Sequence, residues 1–168
     1  MRELAAAIAR DHPGGELLIV AIFKGGFMFL ADLLRALAAH QIAPLVDFLM
    51  VSSYGAGTRS SGRPRLQGRI SVPVRGRQVL LVDDILDTGL TLQTVRRHLV
   101  SRGAHGVRVC VLLVKQRRRQ TSSRPDYVGF RVPRVFVVGY GLDHGGRYRQ
   151  LPYLAALTAQ GPDGGPGP

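Results

Sequence analysis

Val79-Leu80-Leu81-Val82-Asp83-Asp84-Ile85-Leu86-Asp87-Thr88-Gly89-Leu90-Thr91 (VLLVDDILDTGLT) decides the fold. Val79–Val82 is a short apolar run of strand formers that ends in two adjacent acids. Asp87 to Thr91 bend the chain, and Leu90–Val100 then carries Leu92, Val95 and Leu99 at helical spacing. In open α/β sheets, ligands sit beyond the carboxyl ends of such strands. Gly89 permits a positive φ, so consecutive N–H groups of the turn can converge with the Thr88 and Thr91 hydroxyls. At a helix N-terminus that cradle suits a phosphate monoester. Adjacent carboxylates would repel phosphate, so Asp83 and Asp84 suit sugar hydroxyls or Mg²⁺. A monoester cradle beside acids for a diol describes a phosphorylated sugar. Taken alone, D-x-x-D-T-G reads equally well as a capped helix start; strand, acids and helix together favour a site.

The rest of the chain repeats the alternation. Arg2–Arg10 reads as a helix with an Ala/Leu/Ile face, broken by His12-Pro13-Gly14-Gly15. Leu17–Phe23 (LLIVAIF) is a buried strand, and Lys24-Gly25-Gly26 turns it into a helix over Phe27–Ala39. Pro44–Val51, Val107–Val114 and Val135–Val138 read as further strands. The pattern predicts an α/β protein with a parallel, doubly wound sheet of about five strands. Ser52–Val72, rich in Ser, Gly and Arg, is expected to be a long flexible loop of the lid kind. One domain is expected over residues 1–158, with a disordered Gly/Pro tail over 159–168.

Composition narrows the function classes. With 45% hydrophobic and 20% charged residues, the 168-residue chain is an ordinary globular one. No apolar stretch approaches the ~20 residues a spanning helix needs, and no leader pattern opens the chain. A single cysteine, Cys110, sits inside an apolar run, which fits a reducing, cytoplasmic setting. Of 23 cations, 21 are Arg, a skew more typical of coding bias than of a nucleic-acid surface, although a net charge of +12 still concentrates polyanions. Where Arg replaces Lys almost everywhere, Lys24 and Lys115 stand out.

The string Val79–Thr91 closely resembles the phosphoribosyl-pyrophosphate (PRPP) motif of type I phosphoribosyltransferases. The resemblance implies that Asp83 and Asp84 hold the ribose 2′- and 3′-hydroxyls, and that Asp87, Thr88, Gly89, Leu90 and Thr91 hold the 5′-phosphate. Asp83 is one methylene shorter than the Glu often found there in the 6-oxopurine branch. Phe23-Lys24-Gly25-Gly26-Phe27 looks like the family's pyrophosphate loop, whose peptide bond before the Lys24 position can be cis. Ser53-Tyr54 matches the Ser-Tyr pair of the family's mobile lid, and Leu112-Leu113-Val114-Lys115 ends in a lysine that, by resemblance, donates to the exocyclic oxygen of a 6-oxopurine.

Phe136-Val137-Val138-Gly139-Tyr140-Gly141-Leu142-Asp143, continuing to Arg147-Tyr148-Arg149 and Leu151-Pro152-Tyr153, is similar to the hypoxanthine-guanine branch. There the Phe136 position stacks on the purine, Val137 meets the base edge through its backbone, Leu142 flanks the base's other face, Asp143 joins Mg²⁺ and Arg149 meets pyrophosphate. Asp83 and Asp84 are further candidate metal ligands. Val135 replaces a basic residue common in the family, and Arg119 falls on a basic family position. Family members carry a segment ahead of the first helix that helps build a small hood over the base, so here either the natural start lies further upstream or the hood is reduced.

The resemblance implies Mg²⁺-dependent transfer of a phosphoribosyl group from PRPP to hypoxanthine or guanine. Asp87 is the candidate general base/acid at purine N7, and a homodimer or homotetramer is the expected assembly. Two readings compete: a transferase preferring xanthine, and a PRPP-sensing regulator that binds nucleic acid without turnover. Neither nucleic acid nor membrane is the expected partner.

Overall fold

The computed structural model describes residues 1–14, 16–54, 60–116 and 124–157. Helix α1 (Arg2–Asp11) leads into strand β1 (Leu17–Phe23), helix α2 (Phe27–Ala38), strands β2 (Leu45–Tyr54), β3 (Ser60–Gln67) and β4 (Gln78–Leu86), and helix α3 (Leu90–Ser101). Strands β5 (Gly106–Lys115), β6 (Tyr127–Val132), β7 (Phe136–Val138) and β8 (Ala155–Leu157) complete the order.

Six strands form the main sheet in the order β3-β2-β1-β4-β5-β6. All its pairings are parallel except β2 with β3. Side-chain alternation explains why β1 is apolar throughout. Leu17, Ile19 and Ala21 pack under α1 and α2, whereas Leu18, Val20 and Ile22 pack under α3. Each such fully buried side chain contributes about 1.5–3 kcal/mol of transfer free energy, so the two apolar layers fix the register. Cys110 lies in the first layer, and burial pushes its thiol up to about 12, which makes it an inert core residue. Among the described residues no helix is long and apolar enough to cross a membrane.

Three expectations need correction. The apolar run Val135–Val138 does not join the main sheet: Phe136–Val138 pairs antiparallel with Ala155–Leu157 as a separate two-stranded ribbon. The fifth parallel strand is instead Tyr127–Val132, which pairs with β5 from Cys110↔Tyr127 to Lys115↔Val132. The stretch 52–72 is not one loop. Ser52–Tyr54 extends β2, and Ser60–Gln67 returns beside it with a register shift between Ser52 and Tyr54. Residues 55–59, Arg119 and the tail expected over 159–168 lie outside the described residues.

Chain order reverses between β1 and β4, the inner pair from which connections run to opposite sides of the sheet. A crevice opens at the carboxyl ends of that pair, the standard ligand position in doubly wound sheets. The loop after β1 and the acids of β4 both face it.

Candidate active site

The first wall of the crevice is β4 and the turn after it. Asp83 and Asp84 stand inside the strand, which runs to Leu86 and not only to Val82. Asp83 is buried and accepts a hydrogen bond from the Asp84 amide (3.0 Å), and the two carboxyl groups also bond each other. Burial first, and the neighbouring Asp84 second, push the Asp83 carboxyl well above the ordinary carboxylate range; burial likewise raises Asp84, opposed in part by Arg149. Both shifts work against the pair carrying two negative charges. The Ile85 amide caps the Asp84 carboxylate at 2.7 Å.

Gly89 has φ +80° and sits as the N-cap of α3, a conformation that L side chains resist. The Leu90 amide reaches the Thr88 hydroxyl at 3.3 Å. Thr88 and Leu90 are exposed and Thr91 half-buried, so the first turn of α3 is open to an anion at its positive end.

The loop after β1 forms the second wall. The Phe23–Lys24 peptide bond is cis, as the resemblance allowed. Lys24 is exposed. A Cβ built on Gly25 would lie 1.5 Å from Asp84 Oδ2, so only glycine lets this backbone approach the acid pair so closely. Loop and acids thus form one surface.

The far side is built by β5 and the segment after β7. Lys115 closes β5 with its side chain 15% exposed, and its Nζ lies 3.6 Å from Asp87 Oδ2. Phe136 leaves its ring half-exposed with His144 against its edge (centroids 5.3 Å apart, 87° between planes). Val137 and Leu142 are buried in the layer beneath α1 and α2. Arg149 ties this side together: one nitrogen meets Asp143 Oδ1 at 2.7 Å and another donates to the Gly141 carbonyl at 2.7 Å. Asp143 also accepts from the Gly146 amide at 2.8 Å.

The structure thus gathers Lys24, Gly25 and Asp84 on one wall, Asp87 with Lys115 at the floor, and Asp143 with Arg149 on the other side. Ser53 and Tyr54 end β2; their side chains lie outside the described residues. His144 and Tyr140 escaped the sequence reading. The hydroxyl of Tyr140 donates to Asp32 of α2, a contact between distant segments that local patterning does not reveal.

Residues 1–144 match the phosphoribosyl transferase domain. A hypoxanthine-guanine phosphoribosyltransferase of Aquifex aeolicus is 42% identical over 153 residues, covering 90% of this chain and 84% of that protein. A Staphylococcus epidermidis protein of the same name is 38% identical over 159 residues (95% and 87%). The chain belongs to the hypoxanthine-guanine phosphoribosyltransferase family. Solved members superpose over the whole architecture. A Staphylococcus aureus hypoxanthine phosphoribosyltransferase gives a TM-score of 0.85 at 37% identity, covering 94% of this chain and 84% of that one. A Bacillus anthracis hypoxanthine-guanine phosphoribosyltransferase, with HEPES in its active site, gives 0.84 at 39% identity (94% and 91%).

A family enzyme needs Mg²⁺ with PRPP, and the donor set here suits it. Among the described residues no three acids or histidines gather as a cage. Mg²⁺ is commonly held by one or two carboxylates, with substrate oxygens and waters filling an octahedron. The all-oxygen groups Asp83 with Asp84, and Asp143 across the crevice, fit that demand.

Proposed function

We propose that this chain joins hypoxanthine or guanine to PRPP, giving IMP or GMP and pyrophosphate. The observation that carries the reading is the convergence of the acid pair Asp83–Asp84, the open α3 N-terminus and the Gly25 backbone in one crevice. That combination offers a diol acceptor, a monoester cradle and a diphosphate loop side by side.

In this reading the 5′-phosphate takes the turn Asp87–Thr91, and the ribose hydroxyls meet Asp83 and Asp84. Lys24, the Gly25 amide and Arg149 receive the pyrophosphate, whose developing charge they stabilise as the bond to C1 lengthens. Phe136 stacks on the base, the Val137 backbone meets its edge and Leu142 lines its other face. Lys115 donates to the exocyclic oxygen at C6. A 6-amino purine would present a donor to an ammonium that is mostly buried, a mismatch that rejects adenine.

Purine N9 attacks C1 with inversion, and Asp87 holds the proton at N7. The Lys115 ammonium 3.6 Å away orients the Asp87 carboxyl for that role. Bound through Asp143 and the Asp83–Asp84 pair, Mg²⁺ would neutralise pyrophosphate charge. Ser53 and Tyr54, at the tip of the β2–β3 pair, would cover the oxocarbenium-like centre and exclude water.

Phe48 and Met50 alternate on β2, both exposed, with Phe48 packed on Phe23 (ring centroids 4.7 Å apart). This apolar strip supports self-association as a homodimer or homotetramer. The inert core thiol supports a cytoplasmic setting.

The test is pyrophosphate release from PRPP and Mg²⁺ with hypoxanthine, guanine, xanthine, adenine and orotate in turn. Turnover should appear with hypoxanthine or guanine. Turnover confined to xanthine would reassign the base. No release with any of the five bases, together with salt-dependent RNA binding, would replace the enzyme by a regulator.

A further inference from the structure

The segment between β7 and Asp143 reverses in a tight turn. The Gly139 amide meets the Leu142 carbonyl and the Leu142 amide meets the Gly139 carbonyl, both at 3.0 Å. Tyr140 and Gly141 occupy the central positions with φ +50° and +98°, the φ signature of a type I′ turn. Such turns favour Gly, Asn and Asp at both positions, because other side chains resist the left-handed region. A tyrosine there needs a contact that holds it.

That contact crosses the molecule. The Tyr140 hydroxyl donates to Asp32 Oδ2, and Arg35 pairs with Asp32 Oδ1 at 2.6 Å, fixing the carboxylate on α2. Burial and the Asp32 carboxylate push the phenol above its ordinary value, so it remains a donor. The helix that carries Asp32 begins at Phe27, directly after the Lys24–Gly26 loop.

At the turn's tip, a Cβ on Gly141 would lie 2.2 Å from the Gly25 carbonyl oxygen, so the two loops meet backbone to backbone. The Gly141 carbonyl holds Arg149, and the Gly141 amide returns to the Arg149 carbonyl at 3.0 Å. The turn is followed at once by Leu142 and Asp143 of the base subsite.

We propose that the Tyr140–Asp32 hydrogen bond is a latch that sets the separation between the base subsite and the pyrophosphate loop, making both residues positioning residues of the transfer. The inference deepens the proposed phosphoribosyl transfer and rests on it for its kinetic consequence. PRPP alone finds its cradle on α3 whether or not the latch is closed. Alignment of N9 with C1 matters only when both subsites are filled, so loss of the latch should fall on kcat.

Tyr140→Phe keeps the ring and removes the hydroxyl. Its kcat should fall about tenfold, because small misplacement of reacting groups costs up to a hundredfold. Its KM for PRPP should stay within about twofold, the pattern of a contact felt in the transition state alone. Asp32→Ala should behave alike, the double variant no worse than either single, and Asp32→Asn, which keeps an acceptor oxygen, should recover most of the rate. Amide hydrogen exchange should quicken in residues 24–31 and 139–149 of Tyr140→Phe and nowhere else. An unchanged kcat, single losses that multiply in the double variant, or unchanged exchange in residues 24–31 would overturn the latch. Should the wild type transfer to no base, the proposed function fails, while the exchange measurement still decides whether the two loops are coupled.

Discussion

Asp83→Asn separates stability from binding. In the ligand-free protein Asp83 is buried against Asp84, and burial raises its carboxyl well above the ordinary range. Two like charges ~4 Å apart repel by about 4 kcal/mol at an effective dielectric of 20. The raised carboxyl spares the wild type that repulsion at low pH, where the pair is not doubly ionised. A group whose folded-state pKa is raised stabilises the fold fully at pH below its unfolded value, and that contribution is lost as pH rises through the folded value. Wild-type stability therefore declines with rising pH on account of this pair. Asparagine cannot ionise, and its amide can donate to Asp84 as the protonated acid does. The variant should be as stable as the wild type near pH 4 and more stable by about 1–2 kcal/mol near pH 8, the scale of substitutions that relieve a strained site. For a chain of this length that is ~3–6 °C in thermal midpoint. Isothermal titration with PRPP and Mg²⁺ near pH 8 should show at least about a tenfold loss of affinity, since asparagine cannot supply the ionised carboxylate that the diol and Mg²⁺ would meet. A midpoint difference that is flat from pH 4 to 8, or a variant less stable than wild type at pH 8, would refute the reasoning.

Gly25→Ala should push Asp84 aside, because its Cβ would stand 1.5 Å from Asp84 Oδ2; KM for PRPP should rise more than about tenfold, and the thermal midpoint should fall as Asp84 loses its bonds to Ile85 and Asp83. Asp87→Asn should lower kcat by about a hundredfold while PRPP affinity stays near wild type in equilibrium titration, and unchanged turnover would remove Asp87 from proton transfer. His12 is buried, its Nε2 has no hydrogen-bond partner among the described residues, and burial with the nearby Arg108 lowers its pKa. Its neutral form favours the fold, so stability should fall as pH drops below about 6.5, and His12→Leu should flatten the midpoint-against-pH curve between about pH 5 and 7.

Local chemistry was legible and long-range pairing was not. The strand, acids, turn and helix of Val79–Thr91 are contiguous, so their relation survives without tertiary knowledge; the strand's end was misjudged, at Val82, where it runs on through Asp83, Asp84 and Ile85 to Leu86. Val135–Val138 has strand composition, yet its partner, Ala155–Leu157, is chosen by tertiary pairing, so its sheet was misassigned. Tyr127–Val132 (YVGFRV) was overlooked because, as an edge strand with Phe130 exposed and a glycine in its middle, it shows no clean alternation. Ser60–Gln67 (SSGRPRLQ) carries the same ambiguity with a proline added. Lys24, Lys115 and Arg149 could be named as candidates from motif positions, and the structure places them around the ends of β1 and β4. Tyr140 could not, although a tyrosine flanked by two glycines is a signal worth reading as a turn held by its side chain.

The ribbon of β7 with β8 has a consequence for how this family can change. Among the described residues its two strands pair with each other and with nothing in the six-stranded sheet. In the proposed reading the exposed Phe136 therefore hangs from an appendix whose hydrogen-bond ladder is independent of the scaffold beneath it, whereas Val137 and Leu142 are buried in the core and Lys115 stands on β5. Exposed positions such as Phe136 can be screened in large libraries for altered base choice with little risk of unfolding the platform, whereas the same mutational load at the buried positions or in the central parallel strands would propagate through neighbouring registers.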